Sequence, residues 1–347
     1  MTIPNDENQV AEKINMLPDE LLIHIFKYLP LDSILSCENV CRRWQKLALD
    51  PAIWRRIVLV YSGKPGQTEV NEKNLSIISS HKDYIYCIKI QYVYCYSTIK
   101  SVIEQCKNLI SIELVMCRLS KEFEDDILQW PKLKKINLKN SILLVNNVDL
   151  LIQFNLYKEL KYLALSDFGL PTISCDMLLC CNHLSHIFIE KIKHLEISFM
   201  KELIISQMNI LETLHIYGGD SIDDNTFKLM SKCPLLKDLA VIRCENLTDK
   251  GLISLTYLKS IDHIQLWNNT HFTELALLKT LSCPSMISLN SLSLSRIQNI
   301  TPGVVDIISE YYKNLKFLAL YQCQRIINTD YEKQLKSKFR NIQVVLY

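Results

Sequence analysis

The sequence predicts an α/β chain: a three-helix module followed by a horseshoe solenoid with a parallel sheet on its concave side. Two observations predict this. From Leu17 to Trp54 apolar residues recur at helical spacing, and from about Ile57 to the end one apolar string recurs at near-constant steps. Of the 347 residues 48% are hydrophobic and 22% charged, enough apolar side chain to fill a large core and too much for a disordered chain. No apolar run reaches the roughly 18 residues of a membrane helix, so no membrane partner is expected. The opening MTIPNDENQVAEKIN has no basic patch ahead of an apolar stretch and is not read as a secretory signal. Thirty-nine basic residues balance 37 acidic ones, and a formal charge of +2 gives no reason to expect nucleic acid. Thirteen cysteines, an odd number, read as reduced thiols of the cytoplasm and/or nucleus. Four N-x-S/T triplets, at Asn74, Asn246, Asn268 and Asn299, are read as chance matches.

Three segments follow from these patterns. Residues 1–14 are polar and expected to be flexible, 15–56 form the helical module, and 57–347 form about 10–12 repeats. In the module, Asp19 is placed to cap a first helix carrying Leu22, Ile25, Phe26 and Leu29, which Pro30 ends. Asp32 or Ser33 starts a second helix with Ile34 and Leu35, and a third carries Val40, Trp44, Leu47 and Ala48. Pro51 then opens a short turn that delivers Trp54. So small a module buries too little to be very stable alone, so it is expected to lean on a partner and on the first repeat. Ser62–Lys73, with two of the seven glycines, is read as a loop.

The recurring string is L-x-x-[LI]-x-[LIV], as in LISIEL (109–114), LKKINL (133–138), LKYLAL (160–165), LKDLAV (236–241) and LKFLAL (315–320). Strand ends are placed at 90, 114, 138, 165, 189, 216, 241, 266, 294, 320 and 344, a mean period of about 25. The period and the string are those of a leucine-rich repeat. The i, i+2 apolar pair points one way from a short strand, and the dozen residues after it read as helices at 148–154, 226–232 and 304–312. A second strand-like triplet, Leu195-x-Ile197, leaves the register open between 189 and 211. Cys117, Cys244 and Cys323 each lie three residues after a strand end, and Cys106, Cys181, Cys233 and Cys283 close the helical segments. All read as small buried hydrophobes. CPLLKDLAVIRCENLTDKGL (233–252) resembles the cysteine-containing class of leucine-rich repeats. Cys175, Cys180, Cys181 and His183 lie close in sequence, but a second pair with zinc spacing is absent. No metal or cofactor is expected.

The module itself strongly resembles an F-box. The residues that carry the likeness run Leu17-Pro18-x-Glu20-Leu21-Leu22, Ile25-Phe26, Tyr28-Leu29-Pro30-Leu31, then Val40-Cys41, Trp44 and Trp54. The whole chain resembles F-box proteins of the leucine-rich-repeat class. The resemblance implies a non-catalytic subunit of an SCF-type E3 ubiquitin ligase, which binds a Skp-type adaptor and through it a cullin and RING subunit. It places Leu17, Pro18, Leu21, Ile25, Leu29, Val40 and Trp44 on the adaptor face, and seats Trp54 against the repeats. An internal core role is the competing reading for these residues, above all for Phe26 and Leu47.

On the repeat sheet, side chains flanking the buried pairs are expected to line the concave face and bind an unknown protein substrate. These are Tyr162, Phe188, His215, Tyr217, His263, Trp267, Phe317 and Tyr321. Lys135 and Lys139 would suit a phosphate on that substrate. Acidic runs at Glu122–Asp126 and Asp223-Asp224 are expected at solvated helix starts. Phosphate-loop, dinucleotide and nucleophile-elbow motifs are missing, so no catalytic residue is named. The alternative function is a scaffold that binds the adaptor and partner proteins without delivering a ubiquitination substrate.

Overall fold

The computed structural model describes residues 14, 16–143, 149–192, 195–218, 221–327, 329–339 and 342–346. The expected flexible residues 1–13 and the start of the 148–154 segment lie outside them. The described residues divide into two compact units, one running to Val93 with Ser97–Ile112, the other comprising Tyr94–Tyr96 and the residues from Glu113 onward.

The first unit opens with four helices: α1 (Asp19–Phe26), α2 (Leu31–Cys37), α3 (Arg42–Ala48) and α4 (Pro51–Trp54). Prolines place two of the starts. Pro18 and Pro30 sit in extended backbone immediately before α1 and α2, where a missing N–H costs nothing. Asp19 does not cap α1; its carboxylate takes the Arg43 Nε and Nη2 at 2.8 and 2.7 Å, tying α1 to α3. Helix α1 stops at Phe26, four residues before Pro30, and Val40 precedes α3, which the Cys41 thiol caps. Strand β1 (Val58–Ser62) pairs in parallel with β2 (Cys87–Gln91) around α5 (Thr68–His81). The expected loop at 62–73 is therefore short. Thr68 to Lys73 are already helical, with Glu69 favourably placed in the first turn. Asn71 and Asn74 fasten α5 to β1 by donating to the Ser62 and Val60 carbonyls, both at 2.7 Å.

The second unit is a strand–helix solenoid of the leucine-rich-repeat type. Part of β3 (Ser111–Val115) belongs to it, and β4 (Arg118–Leu119) pairs with β6 (Ile142–Leu143). The main sheet runs in chain order and in parallel through β5 (Lys135–Leu138), β7 (Tyr162–Ser166), β8 (His186–Glu190) and β9 (Thr213–Tyr217). It continues through β10 (Asp238–Ile242), β11 (His263–Trp267), β12 (Ser291–Ser293), β13 (Phe317–Ala319) and β14 (Gln343–Val345). Its register stacks Ile136, Leu163, Ile187, Leu214, Leu239, Ile264, Leu292 and Leu318 in one fully buried row. No single coil could bury these side chains alone; each is covered by its neighbours.

Three expectations need correction here. Leu195-x-Ile197 is not a strand: Ile197 begins a helix that ends at Gln207, and β8 pairs directly with β9. Residues 149–153 form no helix, and a single 3-10 turn at Phe154–Leu156 follows. In the last coil Leu318 pairs with Val344, so the strand-end position is Leu346, two residues beyond the expected 344.

Each coil leaves its strand in the same way. Two residues past the buried strand-end side chain the backbone enters the left-handed region, at Met116, Asn140, Asp167, Lys191, Gly218, Arg243, Asn268, Arg296 and Gln322, with φ between 51° and 81°. Eight of these nine are not glycine, although a left-handed residue with a Cβ costs about 1–2 kcal/mol. Backbone N–H groups there bond across to the next coil, Lys191 to Tyr217 O at 2.7 Å and Arg243 to Trp267 O at 2.9 Å. One residue further on, buried polar side chains close the remaining gaps. Asn269 accepts from Cys244 N at 3.0 Å and donates to Val241 O at 2.9 Å, and Ser141 does the same for Cys117 N and Leu114 O.

Candidate functional site

The helical module sorts its apolar residues into two sets. Leu22, Phe26, Ile34, Leu47, Ala48, Ile53 and Trp54 are all at most 6% exposed and form its interior. Thus Phe26 and Leu47 are core. Trp54 stacks on His81 of α5 with ring centroids 4.9 Å apart and donates its indole N–H to Ala48 O, and His81 also meets Glu38 at 3.0 Å. The second set is more open to solvent. Leu21 is 50% exposed, Ile25 40% and Val40 60%, Pro18 is exposed, and Leu17, Leu29 and Trp44 are half-buried. Trp44 packs edge-on against Phe26 at 5.1 Å, and its Nε1 has no acceptor among the described residues. None of the seven residues expected on the adaptor face belongs to the interior. Met16 and Tyr28, 82% and 72% exposed, widen the apolar surface.

On the second unit the face of the sheet carries the expected aromatic residues in register. Tyr162 pairs with His186, and one step along Phe188 pairs with His215. Ring centroids lie 5.0 Å apart for Tyr162–Phe188 and 4.5 Å for Phe188–His215. Burial, with Glu113 and Glu190 nearby, pushes the Tyr162 hydroxyl up to about 12. Further along, His215, His263, Trp267, Phe317 and Tyr321 wall a cleft of about 580 Å³ whose floor is Ser291, Ser293 and Ser295. Tyr217 lies under Lys191, 5.3 Å from the ammonium, and Trp267 meets Tyr321 edge-on at 6.3 Å. The two lysines expected to suit a phosphate are already neutralised: Lys135 pairs with Glu113 at 2.8 Å and Lys139 with Glu190 at 2.5 Å.

A family model described as F-box-like matches residues 14–60. The chain carries an F-box-like domain. Its sequence relatives share a stretch of similar length. The F-box/LRR-repeat protein 12 of Homo sapiens is 40% identical over 50 residues, 14% of this chain and 15% of that protein. An F-box protein of Saccharomyces cerevisiae is 46% identical over 41 residues, 12% of this chain and 6% of that protein. The likeness thus spans well under two thirds of either relative. Two solved structures resemble the fold. Rad7, from the Rad7–Elc1 complex of yeast, has a TM-score of 0.47 at 12% identity, covering 100% of this chain and 99% of that one. The ectodomain of the Arabidopsis receptor kinase HAESA has 0.42 at 18%, covering 69% and 38%.

Outside the F-box-like domain, other sequence expectations resolve structurally. The acidic runs are not simply solvated. Asp126 is buried and accepts from the Tyr96 hydroxyl at 2.7 Å, and Glu124 accepts from Leu151 N at 2.6 Å. Asp224 accepts from Thr248 N and Oγ1 of the next coil at 2.8 and 2.6 Å, and Asp249 repeats this with Thr273. Asp223 forms a capping box with Thr226. Burial raises its carboxyl, but hydrogen bonds from Thr226 and Lys201 outweigh that and hold it at about 2. Of the seven repeat cysteines, Cys106, Cys117, Cys181, Cys233, Cys244 and Cys323 are buried as expected, whereas Cys283 is only half-buried. Burial pushes the Cys106 and Cys181 thiols up to about 12 and the Cys233 and Cys323 thiols up to about 11. Among the described residues no group of three potential ligands is placed to hold a metal, and no helix is long and apolar enough to cross a membrane. Sequence reasoning missed Asn269, the Asp224–Thr248 link and Arg296. The first sits at the Asn/Cys position of the repeat, a signal that was available; the other two carry no sequence signal.

Proposed function

We propose that this chain is the substrate-recognition subunit of an SCF-type E3 ubiquitin ligase. The F-box-like domain docks on a Skp-type adaptor, and through it on a cullin and RING subunit. The repeat sheet binds a protein that is then ubiquitinated. The observation that carries the reading is the division of the helical module's apolar residues. Leu22, Phe26 and Leu47 lie in its interior with Ile34, Ala48, Ile53 and Trp54, and Leu21, Ile25 and Val40 remain exposed near Pro18. An apolar patch that the fold does not use supports the reading of a protein-binding surface. The aromatic face of the sheet supports the second half, since Trp, Tyr and Arg dominate the energetics of protein contacts. The chain forms and breaks no bond in this scheme. It supplies proximity and orientation for a substrate lysine and raises its effective concentration at the ligase. An odd number of cysteines, thirteen, suits the cytoplasm or nucleus as its place of work.

The test is co-purification from cells. The wild-type chain recovers adaptor and cullin together, and replacing Leu17 and Pro18 by Ala loses both. Adaptor recovered repeatedly without cullin would instead assign the scaffold role, and a chain that recovers neither refutes both.

A further inference from the structure

Cations along the sheet's rim are of two kinds. Most are paired: Lys135 with Glu113, Lys139 with Glu190, and Lys191 with Asp167 at 3.5 Å. Arg296 is different. Among the described residues no carboxylate forms an ion pair with it, yet it is held in place. It occupies one of the left-handed turns at φ 53°, and its backbone N–H donates to Tyr321 O at 2.8 Å. Its Nε donates to Gln322 Oε1 at 2.7 Å, and Gln322 in turn donates to the Tyr321 hydroxyl at 3.1 Å. The guanidinium carbon lies 5.8 Å from the Trp267 ring centroid and 5.5 Å from that of Tyr321. With Nε engaged, the two Nη groups remain as a paired donor edge.

Two clefts adjoin at Tyr321. One, of about 1070 Å³, is lined by Arg296 and by neutral hydrogen-bonding side chains including Asn268, Thr270, Gln298 and Gln324, with no acidic residue in its lining. The other is the serine-floored aromatic cleft of about 580 Å³, and Tyr321 lines both. A cation fixed by neutral neighbours has lost its rotamer freedom in advance and keeps its charge uncompensated. That arrangement favours an incoming anion twice over.

We infer that Arg296 receives an oxyanion, a carboxylate or a phosphate, carried by a peptide segment of the bound protein. The inference rests on the receptor reading of the repeat sheet and names what that sheet selects. The segment runs from the polar cleft, where its anion meets the Nη edge, into the aromatic cleft, where Trp267, Phe317 and Tyr321 take an adjoining apolar side chain.

The experiment uses the purified full chain and two immobilised degenerate dodecapeptide libraries. One contains Asp and Glu but no phosphoserine; the other contains phosphoserine but neither acid. The wild type should enrich anionic peptides about tenfold or more over matched neutral ones in one library or both, which distinguishes the two sources of the anion. Arg296→Gln should abolish that enrichment, and Arg296→Lys, with charge but no planar fork, should restore only part of it. Arg243→Gln, which removes a cation from the same rim, should leave it intact. A wild-type profile without anionic enrichment, or one that the Arg296 and Arg243 variants change equally, overturns the inference. Adaptor recovery by each variant is measured in parallel. Its loss in the wild type would defeat the ligase reading, whereas its retention beside a neutral peptide profile would defeat this inference alone.

Discussion

The sharpest test of the helical module is to remove only the apolar surface its fold does not need. In the triple variant Leu21→Ala, Ile25→Ala and Val40→Ala, the lost side-chain carbons are partly in water already, at 50%, 40% and 60% exposure. Burying a methylene stabilises by about 0.8 kcal/mol, so covering the exposed share of each residue is worth about 1 kcal/mol. Together they account for about 3 kcal/mol of docking free energy, on the order of a hundredfold in Kd. The same substitutions touch little of the interior and should cost the fold about 1 kcal/mol or less. Leu22→Ala is the contrast. Leu22 is fully buried, and its truncation should cost about 2–5 kcal/mol of stability. Calorimetric titration of purified adaptor into each variant measures the first quantity, and urea unfolding measures the second. A triple variant that binds within threefold of wild type would show that this surface faces something other than the adaptor. One that unfolds like Leu22→Ala would show that the two sets of residues are not separable.

Other outcomes follow from the second unit. Trp267→Ala with Tyr217→Ala should weaken capture of bound substrate without releasing adaptor; undiminished capture by the double variant refutes the sheet-face assignment. Asn269→Ala leaves the Cys244 N–H and Val241 C=O without their side-chain partner and should cost about 2–4 kcal/mol in urea unfolding, a loss under about 0.5 kcal/mol counting against the ladder. Asp223 has a folded pKa of about 2 against 3.8 for the free group, so its contribution of roughly 2 kcal/mol is present above about pH 4 and lost as pH falls towards 2. Asp223→Asn should flatten that part of the pH–stability curve, read by hydrogen exchange in the helix Asp224–Met230, and curves that stay parallel to wild type deny the linkage. Arg243→Gly should be neutral within about 0.5 kcal/mol whereas Arg243→Val should cost about 1–2 kcal/mol, because a β-branched side chain is poorly tolerated at φ 55°; equal melting of the two would remove the steric argument.

Much of the fold was legible because each coil repeats one requirement. Ile136 and Leu138 had to be aliphatic, as did Leu163 and Leu165, and the period exposed them. Strand β1 escaped because Val58-Leu59-Val60-Tyr61-Ser62 lacks the leading Leu of the string. The last coil was misplaced because Ile342 and Val344 imitate the pair that Val344 and Leu346 actually form. Acidic residues misled for a related reason. Charge suggests solvent, but Asp224 finds its partner, Thr248, only when the next coil is laid against it. The adaptor-facing residues were read from resemblance, not from periodicity. A helical stripe gives Leu22 and Ile25 the same weight, and only packing against α3 and α4 separates the core residue from the exposed one. Arg296 was invisible because its distinction is a missing carboxylate, which depends on everything folded around it.

The left-handed turns divide labour within every coil. Their backbone strain differs little among long unbranched side chains, and at Lys191, Arg243, Arg296 and Gln322 the side chain is exposed and leaves the interior untouched. About once every 25 residues, then, the scaffold offers a position whose chemistry can change from thioether to amide to guanidinium at constant folding cost. A recognition surface built on such positions can be rewritten one coil at a time, with the aliphatic rows beneath it left as they are.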